Sequence, residues 1–326
     1  MKMTAAVESM AYVGATPWHG LGAKLEGIVG VDEMTKAAGL DWQVSQHPMF
    51  CQIGDEQVAI PNKVAVTRDT DKKILSVSSD AWKPLQNRDL MEFFREYVDA
   101  GAATLETAGS LRDGKIIWGL ANINKGFTLK GRDKVDGYIL LSNSHEPGSS
   151  IRVMTTMVRV VCQNTLSLAH SRGKDEYRQS HVKDFDVSAA KQTIELAREA
   201  VDLHKEEAIA LSKLELSAFD AMKVLAKHFQ PEMAEDDLDV KLLMQVPAAQ
   251  SPVLSDVLYS VVSAPGALPE SAWGLLNGVT HYFDHVAGRS PTQRLINGTF
   301  GKNSQVKLDV RKDLLEMANY DMARAA

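Results

Sequence analysis

The sequence predicts an α+β protein in which antiparallel β-hairpins pack on helices and a mainly helical C-terminal region follows. Three observations carry that prediction. Between residues 40 and 170 strand-like runs come in pairs in which strand follows strand without an intervening helix, whereas a parallel sheet needs a helical crossover between its strands. Turn-forming stretches separate these runs: Asp69-Thr-Asp-Lys-Lys73, Arg112-Asp-Gly114 and His145-Glu-Pro-Gly-Ser149. Beyond Val187 the apolar period changes from two to that of a helix, so a 1–187 α+β core domain is expected ahead of a 188–326 helical region.

Val31 to Gly39 reads as a short helix closed by Gly39, and Trp42 to Ile53 as a strand. Lys63–Arg68 and Ile74–Ser78 form a hairpin. Asn87 to Asp99 is an amphipathic helix, with Asn87 as its cap and Leu90, Phe93, Phe94 and Tyr97 as its buried stripe. Ala103–Leu111 with Lys115–Ile123 makes a second hairpin, and Tyr138–Asn143 with Ile151–Val161 a third. Arg152 to His170 reads as a strand running directly into a helix from Thr165, with Asn164 capping the first turn. A strand ending at a helix N-terminus is a usual place to hold a phosphate. Ser188 to Leu211 contains no Gly or Pro and sets Ile194, Ala197, Val201, Ala208 and Leu211 near one face, as in a long amphipathic helix. Leu216 to Phe229 is another, stopped by Pro231. A linker with short helices follows, and Ala272–His285 and Val310–Arg324 are terminal helices.

At 326 residues, with 44% hydrophobic and 24% charged, the chain is long enough for two cores. Cys51 and Cys162 match no zinc or redox spacing and are expected to be buried and reduced, as in the cytoplasm. No run of eighteen apolar residues and no basic region followed by an apolar stretch occurs, so neither a membrane span nor secretion is expected. The net charge of −6 conceals an asymmetry: residues 112–183 carry twelve Lys/Arg against six Asp/Glu, and residues 184–270 carry seven against sixteen. A basic module inside an acidic protein suits a polyanion groove whose surroundings repel indiscriminate binding.

Candidate catalytic constellations are sparse. His281-Tyr-Phe-Asp-His285 sets two histidines at i, i+4, a spacing that can grip a metal, yet the glutamate of a zincin motif is missing and no third ligand is local. Packing is the expected role, with no metal or other cofactor. Cys162 with His170 would make a thiol and a base, although nothing in their spacing brings them together. The glycines around His19 do not fit a phosphate-binding loop, and no nucleophile elbow or Walker lysine is present. No catalytic residue is assigned.

Four motifs, in order, carry a family resemblance: Pro17-Trp-His-Gly-Leu-Gly22, Lys83-Pro-Leu-Gln-Asn-Arg88, Arg159-Val-Val-Cys-Gln-Asn-Thr-Leu166 and Ala272-Trp-Gly-Leu-Leu-Asn-Gly-Val-Thr-His-Tyr-Phe-Asp-His285. Together they resemble the phage/plasmid-like proteins grouped as domain of unknown function 932. The resemblance implies a source in mobile elements, hence roles in recombination, DNA protection, nucleolysis or defence, and brings no assigned activity. By analogy of layout alone, with no shared motif, the chain is also similar to phage single-strand-annealing proteins.

These readings converge on a DNA-binding protein of a mobile element that binds or anneals single-stranded DNA in recombination, as a homo-oligomer without membrane contact. Arg152, Arg159, Asn164, Arg172, Lys174 and Arg178 flank the strand–helix unit, while Lys125, Lys130, Arg132 and Lys134 occupy the loop before its sheet. Trp118 is an aromatic within that sheet. A phage exonuclease or a host single-strand-binding protein is a possible partner. The alternatives are a metal- or thiol-dependent hydrolase acting on nucleic acid or a defence metabolite, and a non-catalytic phage protein that binds a host partner.

Overall fold

The structure, a computed structural model, describes residues 7–14, 22–130, 133–159, 164–167, 176–245, 247, 250–264, 267–288, 294, 297 and 302–320. Its elements are β1 (Val7–Val13), β2 (Ala23–Leu25), α1 (Val31–Ala37), β3 (Val44–Ile53), β4 (Glu56–Arg68), β5 (Ile74–Ser79), α2 (Asn87–Glu92) and α3 (Arg95–Asp99). There follow β6 (Thr104–Leu111), β7 (Ile116–Leu129), β8 (Asp133–Ser144), β9 (Ile151–Arg159), β10 (Asn164–Ser167), β11 (Glu176–Gln179) and α4 (Val187–Lys213). The last are α5 (Ala218–Phe229), α6 (Asp237–Leu243), α7 (Pro252–Ser263), α8 (Ala272–His281) and α9 (Lys302–Met317). This is the mixed α+β class, with antiparallel sheets and several C-terminal helices. None of the described helices is long and apolar enough to cross a membrane.

An eight-stranded sheet has the order β10-β9-β8-β7-β6-β1-β2, with β11 also paired to β9, and β3-β4-β5 make a separate three-stranded sheet. All three hairpin turns read from the sequence lie between consecutive strands. The β6–β7 turn places Arg112, Asp113 and Gly114 at positive φ. The chain forms two compact units: one holds Met1–Asn124, Tyr138–Thr155 and Gly173–Ala197, the other Lys125–Gly137, Thr156–Arg172 and Arg198–Ala326. The change of character at Val187 marks the start of α4, while the division itself crosses β7, β8, β9 and α4.

In the first unit Leu90, Phe93 and Phe94 of the predicted stripe are buried while Tyr97 is only half-buried, and the expected single helix is two short ones, α2 and α3. In the second unit Ser217 and Ser271 cap α5 and α8, accepting from Asp220 N and Gly274 N.

Four local expectations differ from the structure. Asn87 does not cap its helix; Gln86 is the cap residue, and Asn87 is fully buried. Asn164–Ser167 is a strand antiparallel to β9, not the first turn of a helix, because Asn164 to Ser167 find ladder partners in Thr156 to Arg159. Cys51 is exposed, since the half of β3 beyond Pro48 packs on little besides β4. The helix α8 ends in a π-helical turn over Tyr282–Val286. Cys162, His170 and His19 lie outside the described residues.

Candidate nucleic-acid interface

After β9 the chain turns back on itself. Strand β10 pairs with the 156–159 end of β9 and β11 with its 151–154 end, so two short strands cover one edge. This return brings Arg178 directly opposite Arg152 within the first unit, on one face of an antiparallel pair. Arg178 is exposed and Arg152 half-buried, its Nε donating to Ser150 Oγ at 3.4 Å. Two guanidinium groups opposite each other on a ladder stand close enough to share one phosphate, each donating to its oxygens. In the second unit Asn164 stands opposite Arg159 in the β9–β10 register. Arg132, Arg172 and Lys174 lie outside the described residues.

Lys125, Lys130 and Lys134 do not lie in a loop before the sheet: Lys125 is in β7, Lys134 in β8 and Lys130 in the turn after β7, because the strand alternation runs further than the sequence reading carried it. Lys125 Nζ donates to Asp202 Oδ2 at 2.6 Å and to Arg198 O at 2.8 Å, Lys130 Nζ to Ser212 O at 3.1 Å, and Lys134 Nζ to Asp136 Oδ2 at 2.7 Å. Part of the charge asymmetry is therefore answered inside the second unit, where Lys125 meets Asp202 of α4 and Lys134 meets Asp136 of its own strand. Trp118 is buried and offers no face for a base.

On the opposite face of β9–β11, Ile151 borders a cleft of about 650 Å³ in the first unit. Lys83, Lys183 and Lys191 line it with Asp89, Phe93 and Asp184. Lys83 pairs with Asp184 at 2.9 Å and Lys191 with Glu96, whereas no acidic group lies within 4 Å of Lys183 Nζ among the described residues. The cleft is nearly neutral, so a polyanion is better served by the arginine face.

The Lys83–Arg88 motif holds the first unit together. Gln86 brackets Val44, accepting from its N–H and donating to its carbonyl. Asn87 Nδ2 donates to Leu40 O and Trp42 O, which leaves Asn87 Oδ1 to accept from His145 Nε2 at 3.2 Å. His181 stacks on Trp82 with ring centroids 4.5 Å apart, and its Nδ1 donates to Lys83 O at 2.9 Å. Both imidazoles are closed to solvent, at 0% and 3% exposure, so they cannot serve a bound substrate directly. Sequence reasoning missed this knot; its one signal was the run of amide and basic side chains from Lys83 to Arg88 between apolar segments.

Burial pushes His145 down to about 3, and the charge of His181 adds to the shift. Burial also lowers His181, against the Lys83 and Ser144 carbonyls that favour its protonated form. Because the unfolded chain binds the proton near pH 6.5 and the folded chain does not, this stability is complete above pH 6.5 and is lost as pH falls toward 3. His145 alone should make the protein about 2 kcal/mol less stable at pH 5 than at pH 7. Urea titrations at the two pH values check this. His145→Gln should flatten the dependence, and an unchanged slope would mean that another group carries it.

In the second unit the rings of His281 and His285 are 4.7 Å apart. Burial lowers His281 to about 4, helped by His285 and opposed by Asp284. Asp284 is itself committed to a buried ion pair with Lys307. No cluster of three or more His, Cys, Asp or Glu placed to hold a metal occurs among the described residues.

Fold and site define an α+β protein with a buried polar knot in one unit and an arginine pair on a short strand return. The chain belongs to the family described as Domain of unknown function (DUF932), which matches residues 74–308. No curated protein and no solved structure matches it.

Proposed function

We propose that this chain is a DNA-binding protein of a mobile element that holds single-stranded DNA by its backbone and acts in recombination as a homo-oligomer. The observation that carries this reading is the Arg152–Arg178 pair on the β9–β11 face. Guanidinium groups contact phosphate oxygens in a bidentate manner, and such contacts give affinity without reading sequence. Few aromatic faces are available, and an annealing protein must leave base edges free to pair.

Fluorescence anisotropy with a labelled oligothymidylate, from low to physiological salt, tests the proposal. Binding should be sequence-tolerant and fall steeply with salt as counterions are displaced. The double variant R152A/R178A, checked by circular dichroism for intact folding, should reduce the slope of log affinity against log salt by about 1.4, two single-strand phosphate contacts. Absence of binding at low salt overturns the reading, and an unchanged slope removes the arginine pair from it.

A further inference from the structure

The β3–β4 hairpin runs well past the sheet to which it belongs. Strand β5 pairs only with Lys63–Thr67 of β4, so Met49–Ile53 and Glu56–Ile60 pair solely with each other among the described strands. Every residue from Phe50 to Ala59 is exposed. A two-stranded ribbon of this kind is marginal in water without a covering partner. Its side chains nevertheless include the apolar Met49, Phe50, Ile53, Val58 and Ile60.

The register sorts them into two faces. Met49 stands opposite Ile60, Cys51 opposite Val58 and Ile53 opposite Glu56, so five apolar residues share one face. Phe50, Ile53 and Val58 are 50%, 61% and 40% exposed. The outer edge of β3 over Met49–Ile53 has no ladder partner among the described strands, since β3 lies at the end of its sheet. Edges that must stay single are usually protected by lysine or another charge, yet Pro48 to Gly54 contains none.

We propose that this arm is a self-association element, in which β3 of one chain pairs antiparallel with β3 of a second copy about Cys51. The lack of charge argues for a second copy over an unrelated partner. In a symmetric contact every charge near the axis meets its own like, and this segment has none to repel. Pairing about Cys51 sets Met49 against Ile53 and Phe50 against Gln52 of the other copy, joining the two apolar faces into one. The two Cys51 residues then stand directly opposite, within the Cα separation that a disulfide spans. The inference deepens the homo-oligomer part of the proposed function and is tested without DNA, so its failure is distinguishable from a failure of DNA binding.

The experiment is sedimentation equilibrium of the full chain at micromolar concentration, beside I53E/V58E and C51S. Wild type and C51S should sediment at twice the 35.7 kDa chain mass, and I53E/V58E at the chain mass with an unchanged circular dichroism spectrum. Mild oxidation with diamide should link wild-type chains covalently in pairs and leave C51S unlinked. A monomeric wild type overturns the proposal, as does a dimer that survives I53E/V58E or gives no link through Cys51. A monomer whose arm becomes protease-resistant only with phosphatidylglycerol vesicles would overturn it in favour of a lipid surface.

Discussion

Replacing Gly274 by alanine is expected to destabilise the protein by about 3 kcal/mol, at the upper end of what overpacking a core costs. Helix propensity alone predicts the opposite sign, because glycine within a helix costs about 1 kcal/mol relative to alanine. The tertiary contact decides. A Cβ at Gly274 would fall on the Leu268 carbonyl oxygen, a backbone atom that no rotamer change can withdraw. One helical turn on, a Cβ at Gly278 would lie 2.5 Å from Val261 Cα, so G278A should act in the same direction. Both glycines therefore let α8 approach its neighbours more closely than any other residue allows. Chemical denaturation of the two variants checks this; a stabilised G274A would show that Leu268 can move aside and that propensity prevails.

Arg311→Leu should cost about 3–5 kcal/mol, the range for breaking a buried ion pair by removing one partner. Arg311 Nη2 lies 2.5 Å from Glu207 Oε1 and its Nε donates to Glu207 Oε2 at 3.0 Å, with both residues almost fully buried. Burial alone would raise the Glu207 carboxyl, yet the His204 hydrogen bond and the Arg311 guanidinium hold it down to about 2. Without Arg311 a carboxylate is left in the core with His204 as its one remaining side-chain partner among the described residues. The double variant E207L/R311L should recover much of the loss, since an apolar pair of similar volume carries no desolvation penalty. Thermal unfolding of the single and double variants measures the difference. Equal destabilisation of both would locate the cost in lost packing and not in the unpaired charge.

What the sequence made legible was whatever is periodic. Alternation and turn chemistry placed the three hairpins, and helical spacing placed α4, α5 and the Leu90–Phe94 stripe. Errors arose where one side chain had two local uses. Asn87 has the chemistry of a helix cap and instead joins Leu40, Trp42 and His145, residues 45 to 58 positions away. Asn164 likewise reads as a cap, but its segment has more to gain from the open edge of β9 than from an isolated helical turn, whose nucleation is costly. The candidate site was legible in part: Arg152 and Arg178 were both singled out, but only the strand return sets them face to face.

By itself, then, the sequence determined the α+β class and the apolar faces, because periods of two and 3.6 are properties of the local backbone. Tertiary structure alone decided the partners of the polar groups. Lys125 reads as a groove cation until Asp202 lies 2.6 Å from it, and His145 as a turn residue until the fold buries it against Asn87 and burial holds it neutral. The physical reason is one of range. Backbone periodicity is set by neighbours a few residues apart, whereas a buried charge or hydrogen bond takes its free energy from whichever group the fold brings within about 3 Å, however distant in the chain.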